Sequence, residues 1–397
     1  MNSAHPSPAI RSKLPQVGTT IFTVMSALAQ QHGAVNLGQG FPDFECDPAL
    51  LDAVNAAMRA GHNQYPPTTG IAPLRERIAN KINALYGHAY DATDEITITA
   101  GGTQGLLTAI LCCVHTGDEV IVLEPAYDSY IPAIQLAGGI PVGVAMTADY
   151  RIDWAAVQAA ITPRTRALII NTPHNPSGRV ATAEDMATLA ALAEAHNLLV
   201  ISDEVYEHMV FDGAVHQSVA AYPALAARSF VVSSFGKTFH VTGWKIGYVA
   251  APRALMSEFR KVHQFNVFTV NTPVQYGIAQ YLENPAPWQQ LSAFYQAKRD
   301  VFRQGLSRTA LRLLPCEGTY FQTVDYSALS HSQADLNEID FARWLTTEIG
   351  VAAIPLSAFY QQAVERKHVR FCFAKRDETL INALERLKKI CTNHGGH

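Results

Sequence analysis

Between about residues 95 and 250 the chain alternates short apolar runs with helical periods. "EITITAG" precedes the helical stretch "TQGLLTAILCCVH", and "DEVIVLEP" leads into "YDSYIPAIQLAGG". "IPVGVAM" is followed by "DWAAVQAAI", and "RALIINTP" by "TAEDMATLAALAEAH". Three more strand-like runs close the block: "LLVISDE", "SFVVSS" and "KIGYVAA". Apolar runs this short, spaced by amphipathic helices, predict a mostly parallel sheet covered on both faces, which is an α/β fold.

The pattern differs outside that block. "PALLDAVNAAMRAG" and the loop "NQYPPTTG" come before it, and "APRALMSEFRKVHQF" opens a helical stretch after it. From about residue 290 a helix at "WQQLSAFYQAKRDVFRQGL" is followed by the short strands "TYFQTVDY" and "HVRFCFAK" and a last helix at "DETLINALERLKKI". This reads as a smaller α+β domain. The expected division is 1–45 as an arm that joins the small domain, 46–290 as the large domain and 291–397 as the small one. The terminal "TNHGGH" is expected to fray.

Composition narrows the possibilities. A chain of 397 residues, 48% of them hydrophobic, can bury two cores. Only 16% of residues are charged, against roughly 25% in a typical soluble domain, so part of the surface is expected to be covered by another subunit. The net charge of −4 is spread over both signs, which argues against nucleic acid as a partner. "MNSAHPSPAIRSKLPQ" lacks the apolar core of a signal peptide, and "GLLTAILCCV" is about half a membrane span. The expectation is a cytoplasmic protein with no membrane partner. None of the six cysteines forms C-x-x-C and no H-E-x-x-H occurs. The thiols are read as reduced, buried and structural, and no metal site is expected.

Several motifs carry possible chemistry. "SSFGKTFHVTGWKIGY" sets Lys237 between a glycine and a threonine just after a strand. That lysine could hold a phosphate, bond a cofactor or occupy a turn. A Walker loop needs a glycine where Val231 stands, and "TAGGTQG" lacks the G-x-G-x-x-G spacing. Gly102, Thr103 and Gln104 still begin a helix after a strand and could bind an anion through their N–H groups; a plain tight turn is the alternative. Asp203 in "LLVISDEVY" ends a strand where α/β sheets bind ligands, or it caps a helix. Asn175 in "NTPHNPSG" precedes a proline and marks a turn or a cis bond. Arg370 in "HVRFCFAK" offers a carboxylate fork, or it is an exposed arginine on an edge strand.

In order, "NLGQGFPDF", "NQYPPTTGIAPLRERIA", "TAGGTQG", "EPAYDSY", "NTPHNPSG", "ISDEVY", "SSFGKTFHVTGWKIGY" and "RFCFAK" resemble the class I pyridoxal-phosphate-dependent aminotransferases of fold type I. The wording is nearest to the methionine aminotransferases and the kynurenine aminotransferase/glutamine transaminase group. The resemblance implies pyridoxal 5'-phosphate as cofactor, joined to Lys237 through a Schiff base. It implies Asp203 on the pyridine nitrogen, Tyr206 and Asn175 on the phenolic oxygen and Tyr127 stacked on the ring. Gly102, Thr103, Gln104, Ser234 and Lys245 would hold the phosphate, joined by Tyr65 of a neighbouring subunit in a homodimer with shared sites. Arg370, Asn175 and the backbone at Gly40 would bind the substrate carboxylate, and closure of the small domain would follow. Cis peptides are implied at Glu124–Pro125 and Asn175–Pro176.

The segment "HQFNVFTVNTP" resembles the wall lent by the partner, with Phe268 and Thr269 where kynurenine enzymes carry Phe–His. With Phe22, Tyr65 and Phe268 the pocket reads as apolar and aromatic, which implies methionine and other neutral or aromatic L-amino acids as donors to a 2-oxo acid. Kynurenine aminotransferase or cysteine-conjugate β-lyase activity is the alternative. A non-catalytic protein that binds phosphate ligands is a further alternative of another class.

Overall fold

The computed structural model describes residues 10–329, 331–362 and 364–390. The terminal "TNHGGH" stretch and Cys391 lie outside them. The large sheet has seven strands, and the order across it is Ile96–Thr99, Gly247–Ala250, Ser229–Ser234, Leu199–Asp203, Thr165–Asn171, Glu119–Glu124 and Ile140–Ala145. Neighbours run parallel except at Gly247–Ala250, which is antiparallel to both strands beside it. The sheet is thus mostly parallel, as the patterning predicts.

The alternation of side chains explains why the middles of the inner strands are apolar on both faces. Ile121, Leu168, Val200 and Val231 enter one core. Val120, Ile169, Ile201 and Val232 enter another on the opposite face. A strand covered on both sides needs apolar residues at both phases of its two-residue period. Among the covering helices, Ala183–Ala195 opens with a capping box in which Thr182 and Asp185 satisfy each other's backbone N–H groups.

A four-stranded antiparallel sheet is built from Arg312–Leu313, Phe321–Asp325, His368–Cys372 and Ile354–Pro355. Its core takes in Met25 of the N-terminal helix Ile21–Gln31 and Leu37 just after it. Nearby, Val35–Asn36 pairs in parallel with Val351–Ala352. The same core reaches Val205, Tyr206 and Met209, which follow the central strand of the large sheet.

The two expected cis peptides are present, and Thr172–Pro173 is cis as well. Cys113, Cys316 and Cys372 are buried as expected, but Cys46 and Cys112 are only half-buried; no disulfide joins cysteines among the described residues. No helix among the described residues is long and apolar enough to cross a membrane.

Candidate active site

Leu199–Asp203 is the middle strand of the seven, and Asp203 ends it at 3% exposure. No helix begins there, so the capping alternative falls. The carboxylate accepts hydrogen bonds from the Tyr130 hydroxyl at 2.6 Å and the Val205 amide at 3.4 Å. Burial raises its pKa to about 6, against the lowering effects of those bonds and of Lys237. A carboxylate so placed is stabilised only if a cation arrives from the cavity side.

This has a testable consequence in the cofactor-free protein. The folded pKa lies above the ordinary value of 3.8, so ionising Asp203 destabilises the fold; the penalty is complete above about pH 6 and disappears as pH falls towards 4. Cofactor-free Asp203→Asn should therefore melt higher than cofactor-free wild type at pH 8, with the gap closing at pH 4. Equal melting temperatures at pH 8 would contradict the assignment of a buried, ionised carboxylate.

Lys237 follows the buried strand Ser229–Ser234 in the short helix Phe235–Thr238. Its amine donates to the Tyr320 hydroxyl at 2.9 Å and the Gly40 carbonyl at 3.1 Å. Burial lowers its pKa to about 8, helped by the charges of Arg370 and Lys245. On the same cavity wall the helix Gly101–Cys113 begins. Gly101 has φ +78°, a conformation that disfavours side chains, and a Cβ there would meet Lys245 Nζ at 3.3 Å. A Cβ on Gly102 would lie 3.8 Å from Ser234 Cβ. Bare backbone, a helix N-terminus, a hydroxyl and a lysine thus converge as an anion cradle. Thr103 Oγ1 is 3.2 Å from the Tyr127 hydroxyl. The Gln104 side chain turns away to Thr108, His263 and the Ala100 amide, so only its backbone remains available to a phosphate.

Arg370 sits on an inner strand, not an edge, and is 1% exposed. Its guanidinium lies 3.9 Å from the Phe321 ring centroid, 5.0 Å from that of Phe359 and 5.5 Å from that of Phe22. It donates to Asn175 Oδ1 at 2.6 Å and to the Gly38 carbonyl at 3.2 Å, while Nε has no partner among the described residues. Burial lowers its pKa to about 10. A buried guanidinium on neutral acceptors, with a donor unused, is built to receive an anion.

These groups line one cavity of about 310 Å³, with Phe22, Gly40, Gly102, Thr103, Tyr127, Asn175, Asp203, Tyr206, Ser234, Lys237, Lys245 and Arg370 on its walls. Tyr65 and Phe268 do not line it. They meet edge to face at 5.3 Å elsewhere on the chain, 81% and 47% exposed. The motifs did not reveal a role for Tyr130, although it ends "EPAYDSY", nor for Tyr320 and Phe359, which lie outside the quoted motifs. Nor did they reveal the buried bonds of Lys81, Tyr86 and Ser233 to Glu207, one residue beyond Tyr206.

An anion cradle, a lysine of lowered pKa and a buried carboxylate facing one space fit a phosphate ester on a flat ring that can carry a proton. That arrangement, at the carboxyl ends of the central strands, is the design of a fold type I pyridoxal-phosphate enzyme. The chain belongs to the family "Aminotransferase class I and II", whose model matches residues 32–387, and it is an aminotransferase that uses pyridoxal phosphate. It is 50% identical to the methionine aminotransferase of Escherichia coli (strain K12) over 96% of this chain and 98% of that protein. The solved structure of YbdL from Escherichia coli, described with a methionine aminotransferase function, superposes with a TM-score of 0.93 at 50% identity, covering 96% of this chain and 100% of that one. N-succinyldiaminopimelate aminotransferase from Mycobacterium tuberculosis superposes with a TM-score of 0.92 at 41% identity, again over 96% and 100%.

Proposed function

We propose that this aminotransferase takes the amino group of methionine, and of other neutral or aromatic L-amino acids, and passes it to a 2-oxo acid. The observation that carries this reading is the setting of Arg370. Phe22, Phe321 and Phe359 surround the one arginine that lines the cavity among the described residues. One arginine matches one carboxylate, and the aromatic walls favour an apolar side chain over a second acid. The 50% identity to a methionine aminotransferase supports the same reading.

When bound, pyridoxal phosphate supplies an electron sink for the substrate α-carbon. The chain's own residues do the rest. Lys237 anchors the cofactor and later moves the proton at the α-carbon; a pKa near 8 leaves part of the amine neutral, and so basic, at physiological pH. Asp203 would hold a proton on the ring nitrogen, and Tyr130 orients that carboxylate. Asn175 and Tyr206 would bind the phenolic oxygen, and Tyr127 would stack on the ring. Gly102, Thr103 and the Gln104 backbone bind the phosphate with Ser234 and Lys245. Arg370 with Asn175 fixes the substrate carboxylate.

The exposed pair Tyr65 and Phe268 supports a homodimer in which each subunit completes the other's site. Sedimentation as a monomer at assay concentration would remove that part of the reading. Hydrophobic clusters centred on the two sheets support 46–290 as the cofactor domain and 291–397, with the arm 1–45, as the small domain, with Val205, Tyr206, Met209 and Phe211 bridging into the small-domain cluster.

A half-reaction panel read by the cofactor's absorbance tests the specificity. Methionine, phenylalanine and leucine should react within about a factor of 200 of one another, since an apolar pocket distinguishes a methylene by only about 1–3 kcal/mol. Aspartate should trail all three. Aspartate as the fastest donor would overturn the proposal, and pyruvate released from a cysteine conjugate without a keto acid would favour the β-lyase alternative.

A further inference from the structure

We propose that Tyr320 is a positioning residue for Lys237: its hydroxyl and the Gly40 carbonyl hold the lysine amine during the part of each turnover in which the substrate amine, not Lys237, carries the cofactor. The inference rests on reading Lys237 as the cofactor's anchor.

Three segments far apart in the chain meet at one nitrogen. Lys237 Nζ donates to Tyr320 Oη at 2.9 Å and to Gly40 O at 3.1 Å, and Tyr320 itself donates to Gly40 O at 2.6 Å. The tyrosine is rigidly held. Its side chain is fully buried, and its ring meets Tyr206 edge to face at 5.3 Å and Phe321 at 4.8 Å. Burial pushes its pKa well above the ordinary value of 10, so the hydroxyl stays neutral and can donate to Gly40 while accepting from the amine.

A tyrosine buried only for packing needs one partner for its hydroxyl, and the Gly40 carbonyl already serves. The bond from Lys237 uses the remaining acceptor capacity. A released lysine has a long flexible stem and loses the site unless something holds its head. Tyr320 and Gly40 offer two fixed acceptors beside the cavity that Gly40 and Lys237 line. Removing the hydroxyl should therefore destabilise states in which Lys237 is released and leave untouched those in which it is attached.

Two ligands separate these states in the holoenzyme. α-Methyl-L-methionine displaces Lys237 from the cofactor but has no α-proton to lose. 4-(Methylthio)butanoate has the carboxylate and side chain without the amine, so Lys237 stays attached. In Tyr320→Phe, titrated by cofactor absorbance, the apparent Kd for α-methyl-L-methionine should rise about 3- to 10-fold. That for 4-(methylthio)butanoate should stay within twofold. Equal constants in wild type and variant would overturn the proposal. So would a parallel loss of both affinities with a lowered melting temperature, which would mean that the hydroxyl serves the fold. Borohydride reduction and peptide mapping accompany the titration. A label away from residue 237 would sink the reading of the anchor, whereas a label on 237 with unchanged titrations would sink only the role of Tyr320.

Discussion

Lys237→Ala should lower transamination by at least about four orders of magnitude, because in the proposed reading one side chain supplies both the covalent anchor and the proton transfer. The fold should survive. Truncation at 237 leaves the Tyr320–Gly40 hydrogen bond in place, since neither partner is the lysine. It also removes an amine whose lowered pKa reports that holding its charge in the interior is unfavourable. Near-wild-type melting with no detectable half-reaction is the expected combination. In wild type, borohydride should trap the pyridoxyl group on Lys237, and in the variant it should trap none. Turnover within tenfold of wild type would end the assignment.

Arg370→Ala should lower kcat/KM for methionine by about 2–5 kcal/mol, or roughly 30- to 5,000-fold, as expected when one partner of a buried, charge-assisted pair is removed. The geometry makes the loss specific to the carboxylate. Asn175 Oδ1 and the Gly38 carbonyl are Arg370's acceptors, and neither can replace a cation. A matched amine without the carboxylate, 3-(methylthio)propylamine, should react about equally with wild type and variant. Arg370→Lys should recover only part of the loss, because an ammonium cannot reproduce the planar fork or its stacking on Phe321 at 3.9 Å. An equal fall for both amines would show that Arg370 supports the pocket's shape rather than the carboxylate.

Both residues were visible in the sequence, but not to the same depth. Lys237 follows a strand whose every residue is buried, and its wording stood out within the ordered motifs. Arg370 taken alone read more readily as an exposed edge residue, since one strand cannot reveal how many neighbours it has. Pairing with Phe321–Asp325 on one side and Ile354–Pro355 on the other settles that it is internal. The two-residue strands Arg312–Leu313 and Ile354–Pro355 left no periodicity to detect. Helices Ala72–Tyr86 and Thr272–Tyr281 were also not assigned from the pattern. Gln104 shows the opposite limit: the motif named it, yet packing directs its side chain to Thr108 and His263.

The order of apolar runs and helical periods was sufficient by itself for the sheet class, and the ordered motifs for the cofactor and for Lys237 as the candidate anchor. Those features are local, since strand propensity, two-sided burial and turn chemistry are written over a few consecutive residues. Tertiary structure alone decided that Arg370 meets Asn175, that Tyr130 meets Asp203 and that Tyr320 meets Lys237. Each of those contacts joins side chains 73 to 195 positions apart, and their directions are set only when separate segments pack against one another.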